Sequence, residues 1–280
     1  MTTAALPAVR TRPRTVVHPV TFGRLVAAEW VKTRSLRSTW WTALLAVAFF
    51  AVLGALRSSS IAGIAADAPA GAFVGPVYVI SGLMIAQLVV AGLAVVAITA
   101  EYRSGQIRST FAAAPARVPA LLAKLVVVVG VALTTGTVGV LAGWVSAAPW
   151  FGKVGMTVDL TDPEHLRIML GVPLYLAAMA ALAFGVGAIL RSAAAGISTV
   201  LGLVFVVEPA MSYVPWKVVQ DLAALLPSSA GARLVTHDAT GSMVSSSQGA
   251  LGPWEGYGVL VAWAVLAVTV AAVLLRRRDA

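Results

Sequence analysis

The amino-acid sequence predicts an all-α membrane protein with six transmembrane helices. Three observations support this fold class. Hydrophobic residues make up 59% of the chain and charged residues only 11%, whereas charged residues are near a quarter of an average soluble domain. The apolar residues are gathered into blocks of about 20, the length of helix that crosses a hydrocarbon layer ~30 Å thick. Lysine and arginine stand at the ends of these blocks, as expected where a chain leaves a membrane.

The six spans follow from the apolar blocks in order. The first covers residues 39 to 56 and begins at Trp40 and Trp41, which are typical anchors at a membrane interface. The fourth and fifth blocks are separated by little more than Arg191 and Ser192, so they are predicted to form an antiparallel hairpin. The other predicted spans are residues 76 to 99, 121 to 147, 168 to 190, 193 to 214 and 257 to 275.

The distribution of positive charge predicts the orientation. With six spans, both termini lie on one side, and that side carries 15 of the 20 lysines and arginines. The positive-inside rule then predicts that both termini are cytoplasmic, and we expect a multi-pass protein of the cell inner (plasma) membrane. Lys124, near the start of the third block, is predicted to reach the interface with its charged end. Because the charges follow the spans, a nucleic-acid partner is not indicated.

The chain ahead of the first span divides into two parts. Residues 1 to 20 are predicted to be a flexible cytoplasmic tail. Residues 21 to 38 form an amphipathic helix, with apolar side chains at helical spacing and Arg24 and Glu29 among the residues on its polar faces. A basic helix beside a span is expected to lie at the interface and to attract anionic lipid. Residues 39 to 280 then form the transmembrane domain. The residues assigned to the interfacial helix are Phe22, Leu25, Trp30, Lys32 and Arg34.

Catalytic and metal-binding motifs are not found in the sequence. Gly152 and Lys153 lack the rest of a phosphate-binding loop. The chain has no cysteine, and its histidines fall in predicted loops or tails without a partner at ligand spacing. We therefore expect no catalytic residue, no metal and no cofactor in this chain. Glu208, an acid inside the fifth block, is a candidate path or gate residue, with an interfacial position or a helix cap as the alternatives.

Two further patterns concern packing and the outer face. Gly139 and Gly143 form a GxxxG pattern, which lets helices approach closely and is interpreted as packing. The apolar segment 218 to 227 is too short to cross a bilayer. It is interfacial, re-entrant or packed over the bundle, and we assign a short outer re-entrant segment here.

The connection between the second and third spans is the most informative stretch. It is longer than a simple turn requires. Glu101 can sit near a helix start, and Ile107 and Phe111 are four residues apart, so they share a helical face. A short cytoplasmic helix with two apolar side chains among arginines is typical of a docking surface.

These features together resemble the permease subunits of type-2 ABC exporters. The likeness covers the chain from about residue 21 and rests on the amphipathic helix at 21 to 37, on the run from Glu101 to Ile107, and on the Leu-Pro-Ser-Ser-Ala-Gly run at 226 to 231. In that family a six-span subunit pairs with a separate cytoplasmic ATPase, and the helix after the second span is the coupling helix, which seats in a cleft of the ATPase.

The resemblance implies the function. The chain would form a translocation path with a second permease subunit, identical or similar, and would bind two ABC ATPase subunits that carry ATP and Mg²⁺. The outer segment after the fifth span would form a lid by analogy. The alternative is a stand-alone membrane scaffold or assembly factor, and the cargo is not readable from the residues. The implied ATPase-coupling residues are Glu101, Tyr102, Arg103, Gly105, Gln106, Ile107, Arg108 and Phe111.

Overall fold

The computed structural model describes residues 20 to 63, 73 to 105, 117 to 237 and 251 to 277. Every regular element in these ranges is a helix. The helices are α1 Phe22–Ser35, α2 Arg37–Ala62, α3 Gly75–Val79, α4 Leu83–Ser104, α5 Arg117–Val154, α6 Pro163–Leu190, α7 Ala193–Tyr213, α8 Lys217–Ala224, α9 Pro227–Ala232 and α10 Pro253–Arg277.

Six of these helices, α2, α4, α5, α6, α7 and α10, are long and apolar enough to cross a membrane. The shortest is α7, with 21 residues, and at about 1.5 Å per residue it spans roughly the thickness of the hydrocarbon layer. The prediction of an all-α fold with six candidate spans is therefore confirmed for the described residues, and the six spans fit a multi-pass membrane protein.

The second span differs from its prediction. The apolar block at 76 to 99 was expected to form one helix, but a turn at residues 80 to 82 separates α3 from α4. Gly82 lies in this turn, where an added Cβ would come within 2.5 Å of the Phe50 backbone. The helix also runs further than predicted, so Glu101 lies in its last turn and not near a helix start. Gly105, at φ 70°, then ends α4 in the left-handed conformation that glycine favours.

The spans alternate in direction. At one end of the bundle Lys32 of α1 pairs with Glu101 of α4, and the Arg191 guanidinium lies 5.1 Å from the centre of the Tyr102 ring. Arg117 at the start of α5 also donates to the Leu275 carbonyl of α10, at 3.4 Å. We call this the α1 end. The opposite end holds α3, α8, α9 and the connection from α5 to α6, so successive spans run antiparallel.

The core is built around α6. Over its most apolar 18 residues, 72% are buried inside the protein, against 22% for the corresponding stretches of α2 and α7. Tyr175, Leu176 and Phe184 on α6 are fully buried against the neighbouring spans. The outer spans leave one apolar side exposed, as expected for helices whose solvent on that side is lipid.

Close helix packing explains the GxxxG pattern on α5. An added Cβ on Gly139 would lie 2.5 Å from the Phe50 ring of α2. A Cβ on Gly143 would be closer to the Val79 carbonyl oxygen of α3 than van der Waals contact allows. On the α2 side, Gly54 packs against the backbone of Gly143. The two glycines therefore allow α2 and α3 to approach α5 within one chain.

Replacing Gly143 with alanine is expected to lower the free energy of unfolding by about 1 to 3 kcal/mol, because the added methyl group overpacks this contact. The matched control is Gly130→Ala on the same helix, where nothing lies within 4 Å of the added atom. Unfolding in mixed detergent micelles measures both variants. Equal stabilities of the two variants would contradict the assigned packing.

Candidate functional site

Helix α1 lies against α5 at the α1 end and carries a buried acid. The polar-face position predicted for Glu29 is wrong, because only 4% of the residue is exposed. Among the predicted apolar anchors, Leu25 is half-buried, while Phe22 and Trp30 are exposed. The protein-facing side of this helix therefore includes a charged residue, while Phe22 and Trp30 keep much of their surface exposed. Lys32 is half-buried and Arg34 is exposed.

Glu29 belongs to a cluster of four alternating charges, which we call the charge ring. Lys32 Nζ bonds to a carboxylate oxygen of Glu29 and lies 3.0 Å from Oε1 of Glu101. Lys124 Nζ lies 2.7 Å from Oε2 of Glu29 and 2.9 Å from Oε1 of Glu101. The ring has no net charge, and it joins α1, the last turn of α4 and the first turns of α5.

Burial makes these pairs energetically important. Glu101 is 6% exposed and Lys124 is 9% exposed, so the Lys124 ammonium is ion-paired inside the protein and does not reach out to the interface as predicted. Burial alone would lower the pKa of Lys32, but its hydrogen bonds with Glu29 and Glu101 outweigh that effect and hold the pKa above its ordinary value. Lys32 is therefore charged throughout the physiological pH range.

The other coupling residues predicted from the sequence fall into two groups. Tyr102 contacts Arg191 at the connection between α6 and α7, while Arg103 and Gly105 are exposed at the end of α4. Gln106, Ile107, Arg108 and Phe111 lie outside the described residues, so the helix predicted for them stays a prediction.

At the opposite end, Glu208 caps the short helix α9. Its Oε1 accepts a hydrogen bond from the Ser228 N–H at 3.0 Å, and its Oε2 accepts from the N–H and hydroxyl of Ser229 at 2.6 and 2.7 Å. The residue is 3% exposed. The candidate roles for Glu208 are a path or gate residue, an interfacial position and a helix cap. Its contacts are those of a helix cap, since they satisfy N–H groups that lack partners in the first turn of α9.

The sequence run 226 to 231 is the segment that Glu208 holds. Pro227 starts α9, and Ala230 and Gly231 are buried. An added Cβ on Gly231 would clash with Leu260 of α10, so α9 is inserted between α6 and α10. Arg167 of α6 donates to the carbonyls of Arg233, Leu234 and Thr236 after the helix. Both ends of this inserted segment therefore have polar partners, buried Glu208 at one end and half-buried Arg167 at the other.

A buried polar network continues from α9 into the bundle. The Tyr175 hydroxyl donates to Oε1 of Gln87 on α4 and lies 3.0 Å from the Ser228 hydroxyl. Gln87, Tyr175 and Ser228 are all buried. Because a polar group in an apolar interior is costly without a partner, this network fixes the position of α9 relative to α4 and α6.

Segment 218 to 227 forms most of α8 and leads into α9. Val218 and Leu222 are exposed, whereas Ala223 and Ala224 are buried. One side of α8 therefore covers the bundle and the other side is open. In the described part of the chain, no three potential metal ligands come together.

No protein-family model, curated protein or solved structure matches this chain. Its function is therefore inferred from the six spans, the charge ring and the capped helix.

Proposed function

We propose that this chain is the membrane-spanning permease subunit of an ATP-driven ABC exporter. It forms half of a translocation path with a second permease subunit, and two ATPase subunits bind at the α1 end. The ATP and Mg²⁺ belong to those partner chains. In this proposal the α1 end faces the cytoplasm, where the excess of lysine and arginine favours it.

The charge ring is the observation that carries the proposal. An ATPase outside the membrane can drive transport only if movement of its docking segment reaches the spans. Glu101 lies just before the connection between α4 and α5, and Lys124 lies one to two turns after its end, and both pair with α1. Movement of this connection would therefore be transmitted to α1, α4 and α5 together through the ion pairs. These pairs resist separation because breaking one leaves a buried charge without its partner.

The inserted helix α9 supports the second part of the proposal, a lid at the outer end of the path. Short helices placed inside a bundle need their backbone groups satisfied, and Glu208 and Arg167 supply those partners for this segment. We propose that α8 and α9 form the outer re-entrant segment and close the path between export events. The polar network through Tyr175 links this segment to α4, the same span that carries Glu101.

The Ile107→Ala/Phe111→Ala double variant is expected to lose its ATPase partner. Apolar anchors at an interface centre typically contribute about 2 kcal/mol or more each, which is roughly thirty-fold in affinity. The tagged chain is purified in mild detergent from its native membranes, and the recovered ATPase is quantified for the wild type and the variant.

The matched control is Trp254→Ala, which removes an exposed aromatic side chain at the opposite end of the bundle. It should recover as much ATPase as the wild type. Equal recovery by the double variant would refute the docking role of residues 107 and 111. Failure of any ATPase to co-purify with the wild type would instead favour a stand-alone membrane scaffold.

A further inference from the structure

A groove beside the charge ring has no role in the proposed transport step. It runs between the first turn of α2, the last turns of α4 and the first turns of α5, and its cavity is about 480 Å³. Along α4 its lining extends from Leu93 to Ser104, a length of about 16 Å at 1.5 Å per residue. The groove is therefore long and narrow, and it starts at the α1 end.

The lining changes character along this length. Leu93, Val96, Ala97 and Val128 line the part that lies deeper in the bundle. Arg103 lines the mouth, together with the hydroxyl-bearing residues Ser35, Ser38 and Ser104. A polar, cationic mouth above an apolar wall matches an amphipathic ligand whose charged group is negative.

Among the described residues, no carboxylate balances the positive charge of Arg103 at the mouth. Lys32 and Lys124 also line the groove, but the carboxylates of the charge ring neutralise them. Arg103 is exposed, and within the described ranges no carboxylate pairs with it. One positive charge is thus available at headgroup level, where anionic lipid gathers around basic side chains.

We propose that this groove binds one anionic phospholipid. Its phosphate pairs with Arg103 at the mouth, and one acyl chain lies along Val96, Ala97 and Val128. A soluble phosphate compound would leave the apolar wall uncovered, and a neutral lipid would leave Arg103 without a net counter-charge. The bound lipid would sit against the charge ring and fill the space between α2 and α4. This site does not depend on an ATPase partner.

Native mass spectrometry tests the site directly. The full-length chain is reconstituted in vesicles with equal amounts of dioleoylphosphatidylglycerol and dioleoylphosphatidylcholine, extracted in mild detergent, and weighed with its retained lipid. We expect one phosphatidylglycerol per chain to survive delipidation in preference to phosphatidylcholine. Equal retention of the two lipids would overturn the assignment of an anionic ligand.

Two variants address the two halves of the groove. Arg103→Gln removes the cation, and Ala97→Phe fills the apolar wall without changing charge. Each is expected to reduce retention of phosphatidylglycerol about tenfold, the size of effect expected when a hydrogen bond to a charged group is lost or an anchor pocket is blocked. Arg277→Gln and Ala262→Phe, exposed positions on α10, are the matched controls and should retain lipid like the wild type.

Three results would overturn the proposal. Unchanged retention in Ala97→Phe would show that no lipid chain lies in the groove. An equal loss in the α10 controls would show general surface binding only. The third result is a lipid-free dimer of the wild type that becomes a monomer in Ala97→Phe. It would show that the groove is filled by a second copy of the chain. Size-exclusion profiles matching the wild type confirm that each variant is folded.

Discussion

Replacing Glu101 with glutamine is expected to lower the free energy of unfolding by about 3 to 5 kcal/mol, the usual cost of breaking a buried ion pair. Lys32 and Lys124 would then share the single carboxylate of Glu29, so the cluster would carry one uncompensated positive charge beside the buried Lys124. The measurement is unfolding of the purified chain in mixed detergent micelles, followed by the fluorescence of its 8 tryptophans.

Two further variants separate this effect from a general loss of polarity. Lys153→Gln changes an exposed lysine at the far end of the same helix that carries Lys124. It removes only a surface contact with the Trp150 ring, so it should alter the free energy of unfolding by no more than about 1 kcal/mol. The Glu101→Met/Lys124→Met double variant keeps Glu29 paired with Lys32 and should recover most of the lost stability. If the loss of stability in the double variant equalled the sum of the losses in Glu101→Met and Lys124→Met, the charge ring would not act as one electrostatic unit.

The spans could be predicted from the sequence because lipid acts on each helix separately. A block such as 168 to 190 must be apolar along about 20 residues to cross the layer, whatever its neighbours are. The break before α4 could not be predicted in this way. It depends on the close approach of Gly82 to the Phe50 backbone, and neither residue alone carries a sign of that contact.

The charge ring shows where sequence reasoning stopped. An amphipathic pattern divides a helix into an apolar face and polar faces, and it correctly indicates that α1 is basic. It does not indicate which of these faces packs against the rest of the protein. The pattern assigns Glu29 to the polar faces of α1, because the apolar side chains there recur at helical spacing. Its partner Lys124 lies 95 residues further along the chain. Acids and lysines near the ends of apolar blocks are the one sign of this cluster in the sequence. Which acid pairs with which lysine depends on how α1, α4 and α5 pack together.

Glu208 was singled out from the sequence for a physical reason that still holds, since an acid inside an apolar block needs a partner. The Leu-Pro-Ser-Ser-Ala-Gly run was singled out separately. What could not be seen was that these two features are one structure. A π-turn at Leu203–Val207 lies directly before Glu208 within α7. The helix continues to Tyr213, and the chain then returns through α8 to α9, whose N–H groups meet the Glu208 carboxylate.

Replacing Glu208 with alanine is expected to release α9 from the bundle. The N–H groups of Ser228 and Ser229 and the Ser229 hydroxyl would lose their acceptor in a buried site. At about 1 to 3 kcal/mol for a buried group left unsatisfied, the loss is expected to reach at least about 3 kcal/mol. Glu208→Gln keeps one acceptor oxygen and should give a smaller effect.

Cysteine labelling measures this release, because the chain has no native cysteine. In a Val235→Cys background, the reporter is buried directly after α9 and reacts with a maleimide only when the segment opens. Since 1.4 kcal/mol corresponds to a factor of ten, Glu208→Ala should raise the labelling rate about a hundredfold or more. Glu255→Ala is the matched control, since Glu255 also accepts from a backbone N–H, that of Gly252, but at an exposed site. Water can replace that bond, so its rate should stay near that of the background. Equal rates for the two variants would show that Glu208 does not hold α9 in place.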